Sequence, residues 1–198
     1  MRTLAIDTSS EACSVALFDG TRLIDAAHRI IGRGHAEQLV PMIAALDGGG
    51  KAGLVLVGCG PGSFTGVRVG IAAARALALG WQAEVRGFNS LALVAAAADG
   101  AAPVLVVMDG GHGEWLIQQF GADGVPVSAH ASLPPDAVTP ISGAGIIGNR
   151  AEACAARFGG RAIDMLPDAR HALRLAAVEA NWPPRPVYAR APDAAVRA

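Results

Sequence analysis

The sequence predicts an α/β protein in which one strand-and-helix pattern is used twice. Three observations point to it. Apolar runs ending in Asp occur in both halves of the 198-residue chain, Leu4-Ala5-Ile6-Asp7 and Val104-Leu105-Val106-Val107-Met108-Asp109. Each is followed by a strand-like stretch and an Asp-Gly turn, Asp19-Gly20 and Asp123-Gly124, the mark of a hairpin. Between them a glycine-rich run, Gly58 to Gly70, leaves an apolar strand and enters a long helical pattern.

The elements follow in order. Leu4 to Asp7 reads as a short buried strand. Cys13 to Phe18 alternates, with Val15 and Leu17 on one face and Ala16 and Phe18 on the other. Leu23 to His28 continues as a third strand. His35 to Leu46 places Leu39, Met42, Ile43 and Leu46 at helical spacing. Pro41 inside it predicts a kink, or a helix that starts near Gln38. Gly48-Gly49-Gly50 ends it, and Leu54 to Val57 is a buried strand. A helix over Val67 to Trp81 follows, with Ser63 or Thr65 as its N-cap. Gly80 and Gly87 bracket another short strand, and Phe88-Asn89-Ser90 offers a cap for a helix over Leu91 to Ala98.

The second half restarts the pattern: strands at Val104 to Asp109, Glu114 to Phe120 and Val125 to His130. Leu4-Ala5-Ile6-Asp7 superimposes on Val106-Val107-Met108-Asp109, and Val15 to Phe18 on Ile117 to Phe120. A faint internal duplication is the economical reading; coincidence of common strand-turn-strand patterns is the alternative. Ile141 to Ile147 is strand-like, Ala151 to Phe158 and Asp168 to Ala180 are helical, and Trp182-Pro183-Pro184-Arg185-Pro186 opens an irregular tail. The order of elements is that of the actin and sugar-kinase architecture, in which two ribonuclease-H-like halves face each other across a cleft. The expected division is residues 1–100, a first lobe carrying partner-binding helices, and residues 101–198, a reduced second lobe.

Composition narrows the function. The chain is 52% hydrophobic and 17% charged, so it can bury a full core. No apolar stretch approaches the roughly 20 residues of a membrane span, and Asp7 interrupts the N-terminal apolar run, which argues against a signal peptide. Cys13, Cys59 and Cys154 are odd in number and lack a C-x-x-C spacing. They argue for reduced thiols in the cytoplasm and against a disulfide frame or a zinc site. Net charge is −1, with scattered arginines and Lys51 the only lysine, so the basic stripe of a stand-alone nucleic-acid binder is missing.

The glycine run fits none of the phosphate-binding patterns. It has no lysine near Gly66, as a P-loop requires, and reading G-x-G-x-x-G from Gly58 or Gly60 meets Ser63 or Thr65 in the last place. A nucleophile elbow around Ser63 fails at Pro61 and Thr65. What remains is a helix start with free N–H groups able to hold an anion, or glycines that let a tight turn pass close to a neighbouring strand. Gly66, Gly70 and Ala74 recur every four residues on a helix apolar nearly all round, the pattern of a helix buried on more than one side. Arg68 and Arg75 share one stripe and either ring a partner interface or stand as exposed arginines on a core helix. Asp7 and Asp109 end corresponding strands, where such carboxylates orient Mg²⁺ and phosphates or simply favour a turn. The five histidines contain no H-x-x-x-H pair, so a helical metal site is not expected.

Several of these residues resemble the bacterial TsaB (YeaZ) family. They are Leu4-Ala5-Ile6-Asp7-Thr8-Ser9, Ala12-Cys13-Ser14-Val15-Ala16, His35 with Leu39-Val40-Pro41-Met42, Gly60-Pro61-Gly62-Ser63-Phe64-Thr65-Gly66-Val67-Arg68, and the late Pro186-Val187-Tyr188-Ala189-Arg190. The resemblance implies a part in forming N6-threonylcarbamoyladenosine (t6A) in tRNA. It implies a non-catalytic subunit that pairs with the catalytic subunit TsaD, is joined by the small ATPase TsaE, forms a homodimer in isolation and meets tRNA only through the complex. It further implies that this chain binds no cofactor tightly, with ATP or ADP and Mg at the level of the complex. The implied partner interface is His35, Leu39, Met42, Ile43, Gly66, Val67, Arg68, Gly70, Ile71, Ala74 and Arg75. Asp7, Thr8, Ser9, Gly60, Gly62, Ser63 and Asp109 would then be a vestigial nucleotide or phosphate site, with no metal and no catalytic residue. The alternative is an active enzyme of the same fold, an ATPase or a glycoprotease-like peptidase. One departure stands out: where many relatives carry an arginine after the second-half strand, this chain has Asp109-Gly110-Gly111-His112-Gly113-Glu114.

Overall fold

A computed structural model describes residues 1–98, 102–139 and 143–189. The boundary between residues 100 and 101, the first residues of the strand expected at 141–147, and Arg190 of the tail motif lie outside the described residues.

The first half forms β1 (Arg2–Asp7), β2 (Ala12–Asp19), β3 (Arg22–Ile30), α1 (His35–Ala44), β4 (Leu54–Gly58), α2 (Phe64–Trp81), β5 (Glu84–Phe88) and α3 (Ser90–Ala95). The second forms β6 (Val104–Gly111), β7 (Glu114–Phe120), β8 (Ala131–Leu133), β9 (Gly145–Ile147), α4 (Ala151–Phe158) and β10 (Ala162–Ile163). Two five-stranded sheets result, in the orders β3-β2-β1-β4-β5 and β10-β9-β6-β7-β8. In each sheet the first three strands meander antiparallel, and the fourth and fifth join the first in parallel. Parallel neighbours need a crossover, which α2 provides between β4 and β5 and α4 between β9 and β10.

The layering explains why β4 and β6 read as continuous apolar runs. One face of the first sheet (Ile6, Val15, Val57) packs on Leu39, Ile43, Val67 and Ile71 of α1 and α2. Its other face (Ala5, Ala16, Phe88) meets Leu93 of α3 and Ala169 and Ala172 of a 3₁₀ turn, Ala169–Arg174. On the far side α3 presents Leu91 and Val94 to Val106, Leu116 and Phe120 of the second sheet, and α4 closes the outer face through Ala151 and Cys154. All six residues of α3 are buried, so this short helix is the wedge between the sheets.

Three expectations are corrected, while the helix around Pro41 starts at His35, the first residue of the stretch that predicts it, and not at the alternative near Gln38. Pro41 lies on the solvent side, so the carbonyl its missing N–H would have bonded, that of Glu37 in the first turn, stays near water. The strand expected at Val125–His130 does not form: Pro126 makes only an isolated bridge to Phe120, and the third strand is the shorter Ala131–Leu133. Pro126 has no N–H to give a ladder. The helix expected over Asp168–Ala180 is only the 3₁₀ turn Ala169–Arg174, capped by Asp168 onto the Arg170 N–H. Beyond it tertiary bonds override helix propensity, because Glu179 accepts the Asn89 backbone N–H at its carbonyl and the Asn89 side-chain amide at its carboxylate. The helix over Leu91–Ala98 stops at Ala95. Among the described residues, no helix is long and apolar enough to cross a membrane.

Candidate functional site

The glycine run joins β4 to α2, and Ser63 caps the helix by accepting the Gly66 N–H at 3.2 Å. Its glycines are explained by what lies against them. A side chain at Gly58 would overlap a carboxylate oxygen of Asp7, at Gly62 the Ser9 carbonyl, at Gly66 the Thr8 carbonyl and at Gly70 the Thr8 hydroxyl. At Gly60, where φ is +90°, it would meet the Val187 carbonyl at 2.5 Å. The β1–β2 turn is thus docked into the run. Thr8 Oγ1 donates to the Gly66 carbonyl at 2.7 Å, and the Ser63 N–H donates to the Ser9 carbonyl at 2.6 Å. The chain's own backbone lies where the glycines leave room.

Asp7 lies beneath this contact and is 1% exposed. Its Oδ1 accepts the Ser9 N–H (2.9 Å) and hydroxyl (2.7 Å), and its Oδ2 accepts the Ser90 hydroxyl (2.8 Å). Burial pushes its pKa up from the ordinary carboxylate value, against the bonds from Ser9 and Ser90 and the field of His35. His35 itself sets Nε2 against the Ala12 carbonyl at 3.2 Å.

Asp109 sits differently, exposed at the end of β6. Partial burial raises its pKa, but the Gly111 N–H and Arg150 outweigh that and hold it below the ordinary value. Arg150 Nη2 lies 2.5 Å from Oδ2. Asp109 is therefore paired with an arginine at the start of α4, a contact no local pattern announces. Ser9, Gly62, Ser63 and Asp109 line one cleft of about 690 Å³ between the two sheets, together with Asn149 and Tyr188. Asp7 and Thr8 lie behind its wall, almost fully buried. Among the described residues, no three His, Cys, Asp or Glu side chains cluster closely enough to hold a metal.

The residues expected at a partner interface divide sharply. His35, Leu39, Met42, Ile43, Gly66, Val67, Gly70, Ile71 and Ala74 face inward and are buried in the chain's own core; Arg68 and Arg75 face out. The outer surfaces of the two helices show Val40 (51% exposed), Leu79 (84% exposed), and the exposed Ala36, Ala72 and Ala76.

Two features escaped the sequence. The tail returns across the first sheet: Trp182 exchanges both backbone bonds with Gly87, and the Val187 N–H donates to the Cys59 carbonyl at 2.8 Å. Arg75 reaches the Pro184 carbonyl at 2.6 Å and Arg68 the Tyr188 hydroxyl at 2.8 Å. Secondly, Asn89 binds Gln118 at 2.9 Å and Glu179 at 2.8 Å while capping α3 at the Leu91 N–H. All three side chains are buried, so one amide ties together both sheets and the C-terminal segment. Asn89→Ala is expected to cost about 2–4 kcal/mol in chemical denaturation, from the lost cap and two stranded partners.

The two sheets, the wedge helix and the cleft define a two-sheet α/β class in which the ends of β1 and β6 converge on one groove. The family described as "TsaD: tRNA N6-adenosine threonylcarbamoyltransferase" matches residues 28–164. The tRNA threonylcarbamoyladenosine biosynthesis protein TsaB of Escherichia coli (strain K12) is 40% identical over 136 residues, 63% of this chain and 58% of that protein. TsaB of Haemophilus influenzae is 42% identical over 103 residues, 48% of this chain and 42% of that protein. The matched region thus spans about half the length of these curated relatives. A Pseudomonas aeruginosa structure described as similar to peptidase YEAZ superposes with a TM-score of 0.78 at 32% identity, covering 96% of this chain and 99% of that one. The chain belongs to the TsaB (YeaZ) family.

Proposed function

We propose that this chain is a non-catalytic scaffold subunit in the formation of t6A in tRNA, pairing with a TsaD-type catalytic subunit through the outer faces of α1 and α2. The observation that carries this reading is the filled glycine run. The turn residues Asp7 to Ser9 and the tail occupy the space its glycines leave. Asp7, the carboxylate an ATPase of this layout would use, is sealed from solvent. The two sheets with one strand order are read as a duplicated ribonuclease-H-like unit, with lobes at 1–100 and 101–198. The chain then leaves the chemistry, and any ATP or ADP and Mg, to the complex with TsaD and TsaE. Alone, in the cytoplasm, it pairs with a second copy, and tRNA reaches it only through the assembly.

The buried residues of α1 and α2 serve this surface by supporting it, and Ala72 and Ala76 are the positions at which to test it. Ala72→Glu with Ala76→Glu is expected to leave the melting curve within about 0.5 kcal/mol of the parent, as exposed substitutions do. It should abolish co-elution with the TsaD-type subunit of the same organism and t6A formation in the reconstituted system. Co-elution at parental strength would remove this face from the interface.

A further inference from the structure

We infer that the tail turns the rim of α2 into a preset pair of cations that selects a partner edge carrying carboxylates; this rests on the pairing proposed above. Arg68 and Arg75 are two turns apart on α2, about 10 Å along the axis. Each guanidinium is held by a neutral oxygen supplied by the tail, Tyr188 Oη at 2.8 Å and the Pro184 carbonyl at 2.6 Å. Arg68 is further fixed by lying 3.6 Å over the Phe64 ring, which itself stacks on Tyr188 with centroids 4.8 Å apart.

Neither arginine has a carboxylate within ion-pair distance among the described residues, and these two are the ones on α2. The tail therefore orients both charges without neutralising either. A guanidinium already held in place loses less freedom when it meets a carboxylate, and most of its donors are still free, since each arginine spends one N–H on the tail.

The surroundings identify the kind of partner. Ala72 and Leu79 continue the same outer stripe and are exposed, so the rim borders an apolar surface. Arginine and aromatic rings beside an apolar centre are the composition of a protein–protein contact. An RNA backbone would use the charges but gains nothing from the apolar stripe. A second copy suits the rim poorly. The only acidic residue on α1 and α2 is Glu37, so two copies bring four arginines and two glutamates to one seam. A subunit with carboxylates spaced about two helical turns apart meets both cations at once, and like charge makes the homodimer proposed for the isolated chain the weaker of the two pairings.

The test measures affinity for the TsaD-type subunit of the same organism, by calorimetry at two salt concentrations, with Arg75→Glu, Arg75→Gln and Tyr188→Phe. Melting curves confirm that each variant folds. Arg75→Glu is expected to weaken pairing at least ten-fold at low salt and to remove most of its salt dependence, with Arg75→Gln intermediate. Tyr188→Phe keeps both charges and frees Arg68; it should weaken pairing a few-fold while the salt dependence persists. Parental affinity and salt dependence in Arg75→Glu would overturn the inference. So would a variant that pairs normally with the subunit but loses self-association, or one that loses only a tRNA gel shift. If the parent chain fails to pair with the subunit at all, the proposed function itself falls.

Discussion

Gly66→Ala is expected to destabilise the protein by about 3 kcal/mol or more, and Gly80→Ala, in the same helix, to stabilise it by about 0.5–1 kcal/mol. Helix propensity alone predicts a gain of about 1 kcal/mol at both positions. The surroundings reverse the sign at one of them. A Cβ on Gly80 meets nothing within 4 Å, whereas on Gly66 it overlaps the Thr8 carbonyl oxygen. Two backbones face each other there, and neither has a rotamer to escape into. Moving the start of α2 outward would stretch the bond from Thr8 Oγ1 to the Gly66 carbonyl and the one from the Ser63 N–H to the Ser9 carbonyl. Urea denaturation of the two variants beside the parent measures both effects in one experiment. Parental stability in Gly66→Ala would mean that the run is not a packing junction and would return it to the list of anion sites.

The same position shows what was legible in the sequence. The spacing of Gly66, Gly70 and Ala74 predicts an α2 buried on more than one side, whereas Ala72, Ala76 and Leu79 are exposed; a close approach at the glycine run is one of the two readings the sequence leaves open, and it does not say what approaches. The partner is Thr8, 58 residues away, and no local pattern carries that distance. The strands buried on both faces are legible because each carries a run of three or more apolar residues, Leu4 to Ile6 in β1, Leu54 to Val57 in β4 and Val104 to Met108 in β6. Those of three residues or fewer, β8, β9 and β10, carry too few side chains to show a period, and β10, with two residues, has no pattern to detect. Asp168–Ala180 has helical composition and yet forms one 3₁₀ turn, since its bonds to Ser14 and Asn89 are made across the fold. The tail is rich in proline and reads as irregular, as it is; its use as a strap depends on Gly60 and Gly87, which clear a path for its carbonyls. At the site, residue types were legible and depth was not. Asp7 and Asp109 end equivalent strands, but one is sealed and the other is paired with Arg150 at the cleft.

Asp7 offers the sharpest separation of structure from chemistry. Asp7→Ala strands the Ser9 N–H and the Ser9 and Ser90 hydroxyls in a buried site and should cost about 2–4 kcal/mol. Asp7→Asn keeps the shape and one carbonyl acceptor, and its effect depends on pH. In the parent, burial raises the folded-state pKa of Asp7 above its unfolded value of 3.8. A raised carboxyl contributes stability that is fully present below the unfolded pKa and is lost as pH climbs through the folded one. The parent should therefore lose stability relative to Asp7→Asn as pH rises above about 4, by up to about 1.4 kcal/mol per pH unit, until the folded-state pKa is passed. Asp109 and Asp168 are held below their ordinary value and have the opposite sign, but they are common to both proteins and cancel in the difference. Urea melts at pH 4 to 7 give the slope, and a flat difference would show that burial does not govern this carboxyl. The same variant then decides its role. A sealed carboxylate affects t6A formation only through the fold, so Asp7→Asn that melts like the parent should support modification at the parental rate in the reconstituted system. Loss of modification in a protein of undiminished stability and undiminished pairing would place Asp7 back in the chemistry and overturn the scaffold reading.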